Sequence, residues 1–132
     1  MNVKEIKADM EMKGLYFNHI EFKRTRDITN GEVQIDITPR YEKEENINRI
    51  VINTKITKQK EMSLVVEVIG EFVFNSNIDD MELQNKMMRS NAVAMMLPFI
   101  RAMVTQITAQ PNLMPIIIPT INASRIIEKE QQ

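Results

Sequence analysis

The residue types that carry most enzyme chemistry are scarce in this sequence. Cysteine is absent, which excludes disulfides and zinc sites built on thiolates. The one histidine, His19, cannot form a two-histidine metal site, and three glycines are too few for a glycine-rich phosphate loop. The acidic pairs at 44–45 and 79–80 lie in polar stretches, where solvated side chains are expected. We therefore expect no enzyme activity, no cofactor and no metal, and we expect His19 to be an exposed strand residue.

Charge and hydropathy exclude two further classes of partner. The 132 residues carry a net charge of −1, so the basic excess of a nucleic-acid-binding protein is missing. The first fourteen residues, "MNVKEIKADMEMKG", are charged and do not resemble a signal peptide. Pro98 and Arg101 interrupt the best candidate for a span of about 20 apolar residues, so membrane insertion is not expected. We expect one domain over residues 1–132 and a cytoplasmic location.

The first half of the chain predicts an antiparallel sheet. Apolar and polar residues alternate with period two, which indicates strands with one buried face and one wet face. Gly31 is expected to open the second strand and Pro39 to close it, and "KQKE" at 58–61 suits a short hairpin. No segment of helical period lies between the strands, so a parallel sheet is disfavoured. The predicted strands are 14–24, 31–39, 46–58 and 62–75.

The second half changes to helical period. Asp79 and Glu82 resemble a capping box, and Pro98 is expected to kink or break the helix near Leu97. One apolar stripe consists of Met88, Ala92, Met96, Phe99, Met103 and Ile107, and a second consists of Val93, Leu97, Ile100 and Val104. A single sheet covers only one side of such a helix, so we assign the second stripe to an oligomer interface. The helix should end by Gln110, and a short last helix is expected over 123–132.

Residues 110–122, "QPNLMPIIIPTIN", form what we call the proline-spaced segment. Prolines recur every fourth residue, and no charged residue occurs between Ala102 and Ser124. Proline at this density disrupts both a helix and an interior strand, which predicts an extended apolar segment. Such a segment beside a methionine-rich helix could form a groove, because methionine adapts to many partners. A methionine stripe at helical spacing is nevertheless more often core, and the pattern alone favours core over groove.

The run "NAVAMMLPFIRAMVTQITAQPNLMPIIIPTIN" resembles the C-terminal half of the SecB family of protein-export chaperones. The helical part of the likeness is the order Leu97, Pro98, Phe99 and Arg101. The proline-rich stretch finishes in Pro119, Thr120, Ile121 and Asn122, as in that family. Upstream, "LYFNHIEFK" resembles the first strand of the family and "VVEVIGEFVFNS" its fourth, so the likeness covers most of the chain.

The resemblance implies an α+β fold, in which one long and one short C-terminal helix lie on one side of a four-stranded antiparallel sheet. It also implies a homotetramer, a dimer of dimers packed through the long helices, without enzyme activity. The implied function is an ATP-independent holdase that binds unfolded polypeptides and keeps preproteins export-competent for the Sec pathway. The expected client-binding groove consists of Phe72, Phe74, Met95, Met96, Phe99, Met103, Met114, Ile116, Ile117 and Ile118.

Docking of the SecA motor is the part of the implied function that the departures from the family pattern affect most. Glu67 aligns with an acidic residue of the family's docking face, and Glu71 on the same predicted strand is a second candidate. His19 and Lys23 stand where acidic residues are expected, and Ala123 replaces a frequent aromatic. Two alternatives therefore stay open: a SecB-like chaperone dedicated to an antitoxin or another specific client, and a structural or ligand-binding oligomer that is no chaperone.

Overall fold

A computed structural model describes residues 9–75 and 80–120, and four antiparallel strands make up the first part. The strands pair in the order β1-β4-β3-β2, so β1 and β2 are the edges. The predicted four-stranded sheet is confirmed, as is the hairpin at 58–61. The strand bounds are β1 Met10–Arg24, β2 Val33–Glu44, β3 Ile47–Lys58 and β4 Met62–Phe74.

Pro39 does not close the second strand, contrary to the prediction. β2 continues through it to Glu44, and Pro39 lies opposite Ile52 of β3. β2 is an edge strand with only β3 as its neighbour, and an edge strand is where a residue without an N–H is tolerated. Strand β1 begins at Met10, four residues before the predicted start, and two irregularities of register interrupt its pairing with β4.

The core lies on one face of β3 and β4. Alternate residues of β4 are buried, and those between them are half-buried on the outer face of the sheet. This alternation is the one that the sequence predicts for β4. The fully buried apolar side chains of the two central strands are Ile50, Ile52, Ile56, Leu64, Val66, Val68 and Phe72.

The helical part covers this face of the sheet in three consecutive pieces. α1 spans Met81–Met87, a π-helical turn spans Met88–Ala92, and α2 spans Val93–Thr108. Asp80 caps α1, because its side chain accepts hydrogen bonds from the N–H groups of Glu82 at 3.0 Å and Leu83 at 3.5 Å.

Pro98 is expected to kink or break the helix, and the structure contradicts the break. α2 runs without interruption from Val93 to Thr108 with Pro98 inside it, and the irregular turn precedes α2. The helix ends before Gln110, as predicted. The short last helix expected at 123–132 lies outside the described residues. No helix within 9–75 and 80–120 is long and apolar enough to cross a membrane.

Gly70 marks a close contact between β4 and α2. A Cβ at this position would lie 2.8 Å from Met96 Sδ and 2.9 Å from Phe72 Cε2. Real Cβ atoms are not found at such distances, so a side chain here would displace Met96 or Phe72. The glycine therefore lets α2 lie close to the centre of the sheet.

Candidate functional site

The stripe assigned to an oligomer interface lies inside the single chain. Val93, Ile100 and Val104 are fully buried, and Leu97 is nearly so. They belong to the same core cluster as the inner residues of β3 and β4. The interface prediction for these four residues is therefore wrong, because their surface is already covered by the chain's own sheet.

A different stripe of α2 faces away from the core. Met95, Phe99, Ala102 and Gln106 are all exposed and recur at intervals of four, three and four, which places them on one face. Phe99 is 46 % exposed and Met95 is 37 % exposed. No member of this outward stripe is charged. Three of its four members are apolar, so the helix exposes a second, largely apolar side, which does not contain the four residues assigned to the interface.

The proline-spaced segment alternates between core and surface over its described part. Leu113, Ile116 and Ile118 are buried, whereas Met114 is 78 % exposed and Ile117 is 72 % exposed. Alternation of this kind is typical of an extended chain with one face against the core.

The ten residues predicted for a groove thus divide into three groups. Phe72, Met96, Ile116 and Ile118 belong to the core, which corrects their assignment to a groove, because a client cannot reach them. Phe74 and Met103 are half-buried against the core. The exposed members are Met95, Phe99, Met114 and Ile117.

Polar side chains of α2 hold the proline-spaced segment by its backbone. Thr108 Oγ1 accepts a hydrogen bond from the N–H of Ile116 at 2.8 Å, and Thr105 Oγ1 donates to the carbonyl of Ile116 at 3.0 Å. One turn earlier in the helix, Arg101 Nε donates to the carbonyl of Ile118 at 2.9 Å. The three polar residues therefore give an extended segment the partners that a neighbouring strand would otherwise supply.

The start of the segment is fastened to the sheet by Arg24 at the end of β1. Its guanidinium donates to the carbonyl oxygens of Pro111 at 2.9 Å and Asn112 at 3.1 Å. Asn112 has a left-handed backbone with φ of 62°, and the N–H of Leu113 closes the turn onto the Gln110 carbonyl. Contacts to α2 and to β1 thus fix the backbone from which Met114 and Ile117 project.

The two acidic candidates for motor docking are engaged within the chain. Asn18 Nδ2 donates to Glu67 Oε1 at 2.7 Å, and Asn53 Nδ2 donates to Glu67 Oε2 at 3.3 Å. These hydrogen bonds, that from Asn18 first, hold the pKa of Glu67 below its ordinary value. Glu71 lies 4.0 Å from the Arg49 guanidinium. Both carboxylates therefore already have partners on their own sheet.

Sequence reasoning missed two adjoining cavities between the β2–β3 hairpin and α1. Their volumes are about 410 Å³ and 180 Å³, and Lys43 and Asn48 line both. The available signal was the clustering of amide side chains at 46–48 and 84–85, which a search for catalytic motifs passes over. Within the described residues, no group of three acidic or histidine side chains could hold a metal ion.

Comparison with known proteins gives one relative and one structural neighbour of note, and no family model matches the chain. The uncharacterized protein MJ0357 of Methanocaldococcus jannaschii is 32 % identical over 131 residues, which is 89 % of this chain and 82 % of that protein. The chain belongs to the family of MJ0357. Family membership alone assigns no activity, because the archaeal relative carries none in its name.

The structural neighbour is the Mycobacterium tuberculosis SecB-like chaperone Rv1957, solved in complex with a ChAD peptide from the antitoxin HigA1. The TM-score is 0.68 at 13 % identity, and the match covers 86 % of this chain and 91 % of that one. The fold is therefore SecB-like: a four-stranded antiparallel sheet with a C-terminal helix.

Proposed function

We propose that the protein is an ATP-independent holdase chaperone that binds unfolded polypeptide segments. The observation that carries this proposal is the exposure of Met114 and Ile117 on a backbone that Arg24, Thr105 and Thr108 hold in place. The neighbour Rv1957 is a chaperone that binds a peptide, which supports a polypeptide as ligand.

Burial of apolar side chains would supply the binding free energy. Covering an exposed isoleucine or methionine fully is worth about 1.5–3 kcal/mol. Ordering the client opposes this gain with about 0.5–1.5 kcal/mol for each immobilised side chain. A surface whose own backbone is already fixed loses little further entropy, so most of the gain is retained.

The test is the double variant Met114→Ser/Ile117→Ser against the matched control Ile28→Ser. Ile28 is 72 % exposed, as Ile117 is, but lies in the connection between β1 and β2. Light scattering follows aggregation of a chemically unfolded, unrelated protein without ATP. We expect the parent and Ile28→Ser to delay aggregation and the double variant to do so poorly. Equal protection by all three proteins would show that this surface does not bind clients.

A chaperone dedicated to one client is the second candidate. It is favoured by the antitoxin peptide in the structural neighbour. A panel of unfolded proteins separates the two roles, since a general holdase protects most of them at similar concentration. Protection of none of them, with binding of one protein encoded by the same host, would support the dedicated role. A structural oligomer that is no chaperone would protect none and bind no such protein.

We further propose that the outward stripe of α2 packs against a second copy, within a homotetramer. The stripe is uncharged, and a monomer leaves Phe99 and Met95 substantially in water. Light scattering coupled to size exclusion measures the mass. Phe99→Glu should dissociate the assembly without unfolding the subunit, because this side chain is outside the core. A parent protein of monomer mass would refute the tetramer.

Docking to a SecA motor, cytoplasmic residence and a role in export form one further proposal. Glu67 is the acidic residue best placed for it, although Asn18 and Asn53 already occupy its oxygens. We expect weak, salt-sensitive binding that Glu67→Ala abolishes, because charge complementarity mainly raises association rates. Strong binding that is insensitive to salt and to Glu67→Ala would place the motor on another surface.

A further inference from the structure

The walls of the two cavities at the β2–β3 hairpin carry charged and amide side chains beside Val73, Phe74 and Met81, whereas the proline-spaced segment exposes the apolar side chains of Met114 and Ile117. The larger cavity is within the range of about 300–1,000 Å³ that ligand pockets occupy. One wall consists of the ends of β2, β3 and β4, and the other consists of α1 and the π-helical turn. Besides Lys43 and Asn48, the amide side chains on the walls are Asn46, Asn75, Gln84 and Asn85.

Lys43 and Asn48 stand directly opposite each other in the β2–β3 register. Asn48 is only 8 % exposed, yet its side chain forms no hydrogen bond to any residue within 9–75 and 80–120. In the same residues Lys43 forms no ion pair, and its Nζ lies 3.3 Å from Met81 Sδ, a weak acceptor. Asn48 lines both cavities, so a ligand there can supply hydrogen bonds that its amide does not form within the chain.

The charges around this pair determine which ligand it suits. Arg89 lines the smaller cavity, where its guanidinium lies 4.7 Å from the ring centre of Tyr41. Glu42, on the same wall, lies within 4 Å of both Arg40 and Arg49, which compensate it. Glu45 also lines the larger cavity, so the net positive charge lies at the smaller cavity, where Lys43 and Arg89 are both on the walls. Lysine and arginine donors suit a carboxylate, while amide side chains can both donate to and accept from peptide groups.

We propose that these cavities bind a carboxylate carried by an extended polypeptide segment, with Lys43 and Asn48 as its donors. The inference rests on the proposed function in one respect, that the segment is part of a client. The apolar surface would then hold one part of a client while the hairpin cavities select for an acidic part. The carboxylate is an aspartate or glutamate side chain, or the C-terminus of the client.

Three short peptides test the proposal on the full-length protein: acetyl-Gly-Glu-Gly-amide, its glutamine analogue, and acetyl-Gly-Gly-Gly with a free C-terminus. Binding is followed through the side-chain amide ¹H–¹⁵N resonances of Asn48 and Asn46. We expect a carboxylate peptide to bind about tenfold more tightly than the glutamine peptide, as a charge-assisted hydrogen bond predicts. Whichever carboxylate peptide binds more tightly identifies the source. Equal binding of all three, or no shift at Asn48, would overturn the proposal.

Lys43→Met and the control Lys55→Met locate the site. Lys55 is an exposed lysine on β3 that lines neither cavity. Lys43→Met should lose about tenfold in affinity for the carboxylate peptide and Lys55→Met should lose none. Equal affinities of Lys43→Met and Lys55→Met for the carboxylate peptide would overturn the site. Asn48→Leu is a second variant at the site, and thermal unfolding checks that it is folded.

The experiments distinguish a failure of the carboxylate site from a failure of the holdase function. Met114→Ser/Ile117→Ser should bind the carboxylate peptides as the parent does. Aggregation delay without peptide binding would overturn the carboxylate site alone. Peptide binding without any aggregation delay would support the site and overturn the holdase function.

Discussion

Thr108→Val tests whether the proline-spaced segment is held by hydrogen bonds from the helix. The Thr108 hydroxyl is fully buried, donates to the Val104 carbonyl at 2.8 Å and accepts from the Ile116 N–H at 2.8 Å. Valine has nearly the same shape, so packing is preserved while both bonds are lost. The Ile116 N–H would stay buried without an acceptor, at a cost of about 1–3 kcal/mol.

The matched control is Thr105→Val one turn earlier. Thr105 Oγ1 donates to the Ile116 carbonyl at 3.0 Å, but this contact is only partly buried. Water can replace that donor, so a loss of about 0.5–1.5 kcal/mol is expected at most. In urea, with a slope of about 2 kcal/mol per molar, a loss of 2 kcal/mol lowers the unfolding midpoint by about 1 M.

Amide hydrogen exchange at Ile116 and Ile118 reports whether the loss is local. We expect faster exchange there in Thr108→Val and little change in the strands, because the contact joins only the segment and α2. Equal urea midpoints for Thr108→Val and Thr105→Val, with unchanged exchange at Ile116, would refute the reasoning. The segment would then be held by the burial of Ile116 and Ile118 alone.

Three further outcomes follow from the core. Val104→Glu should prevent folding rather than dissociate subunits, because it puts an unpaired charge at a fully buried position; a folded monomer by circular dichroism and light scattering would contradict this. Gly70→Ala should lower the unfolding free energy by about 1–2 kcal/mol through overpacking against Met96, and an unchanged urea midpoint would contradict the close contact. Glu61 is buried, and hydrogen bonds, first from Lys58, lower its pKa in the folded state. Its stabilising contribution is present above the unfolded pKa of about 4.3 and is lost as pH falls through the lowered value. The urea midpoint of Glu61→Gln should therefore fall less than that of the parent between about pH 5 and 3, and parallel curves would contradict this.

Period-two alternation predicted the strands well, but the two isolated prolines misled the prediction. The sequence shows that Pro39 lacks a donor but not that β2 is an edge strand, where that lack is tolerated. Pro98 likewise cannot donate a backbone hydrogen bond within the helix, but the helix breaks there only if packing does not offset that loss. Its neighbours Leu97 and Ile100 are buried against the sheet, and this packing accompanies an unbroken helix.

The number of apolar sides on α2 was predictable, but not which one faces the sheet. The two stripes named from the sequence are neighbours, and Met96 of one is as buried as Val93 of the other. Helical periodicity gives the angle between two residues around the helix axis. It does not say which side of the helix faces the sheet. Met95, a core residue by type, lies on the outward side, and only tertiary contacts decide this. The hairpin cavities were harder still to predict from the sequence, because only the strand register brings Lys43 opposite Asn48.

The polar strip of α2 carries the more general lesson. Arg101, Thr105 and Thr108 would be assigned to solvent on a helix that is otherwise apolar, yet Thr108 is fully buried and all three bond to the segment. An extended apolar run rich in proline lacks strand partners, so its remaining backbone groups must bond to side chains or to water. Because proline fixes φ, ordering the segment costs little chain entropy, and few such bonds suffice. A polar strip followed closely by proline-spaced isoleucines thus predicts a helix that holds an extended segment in place. The exposed side chains of that segment are then available to a partner.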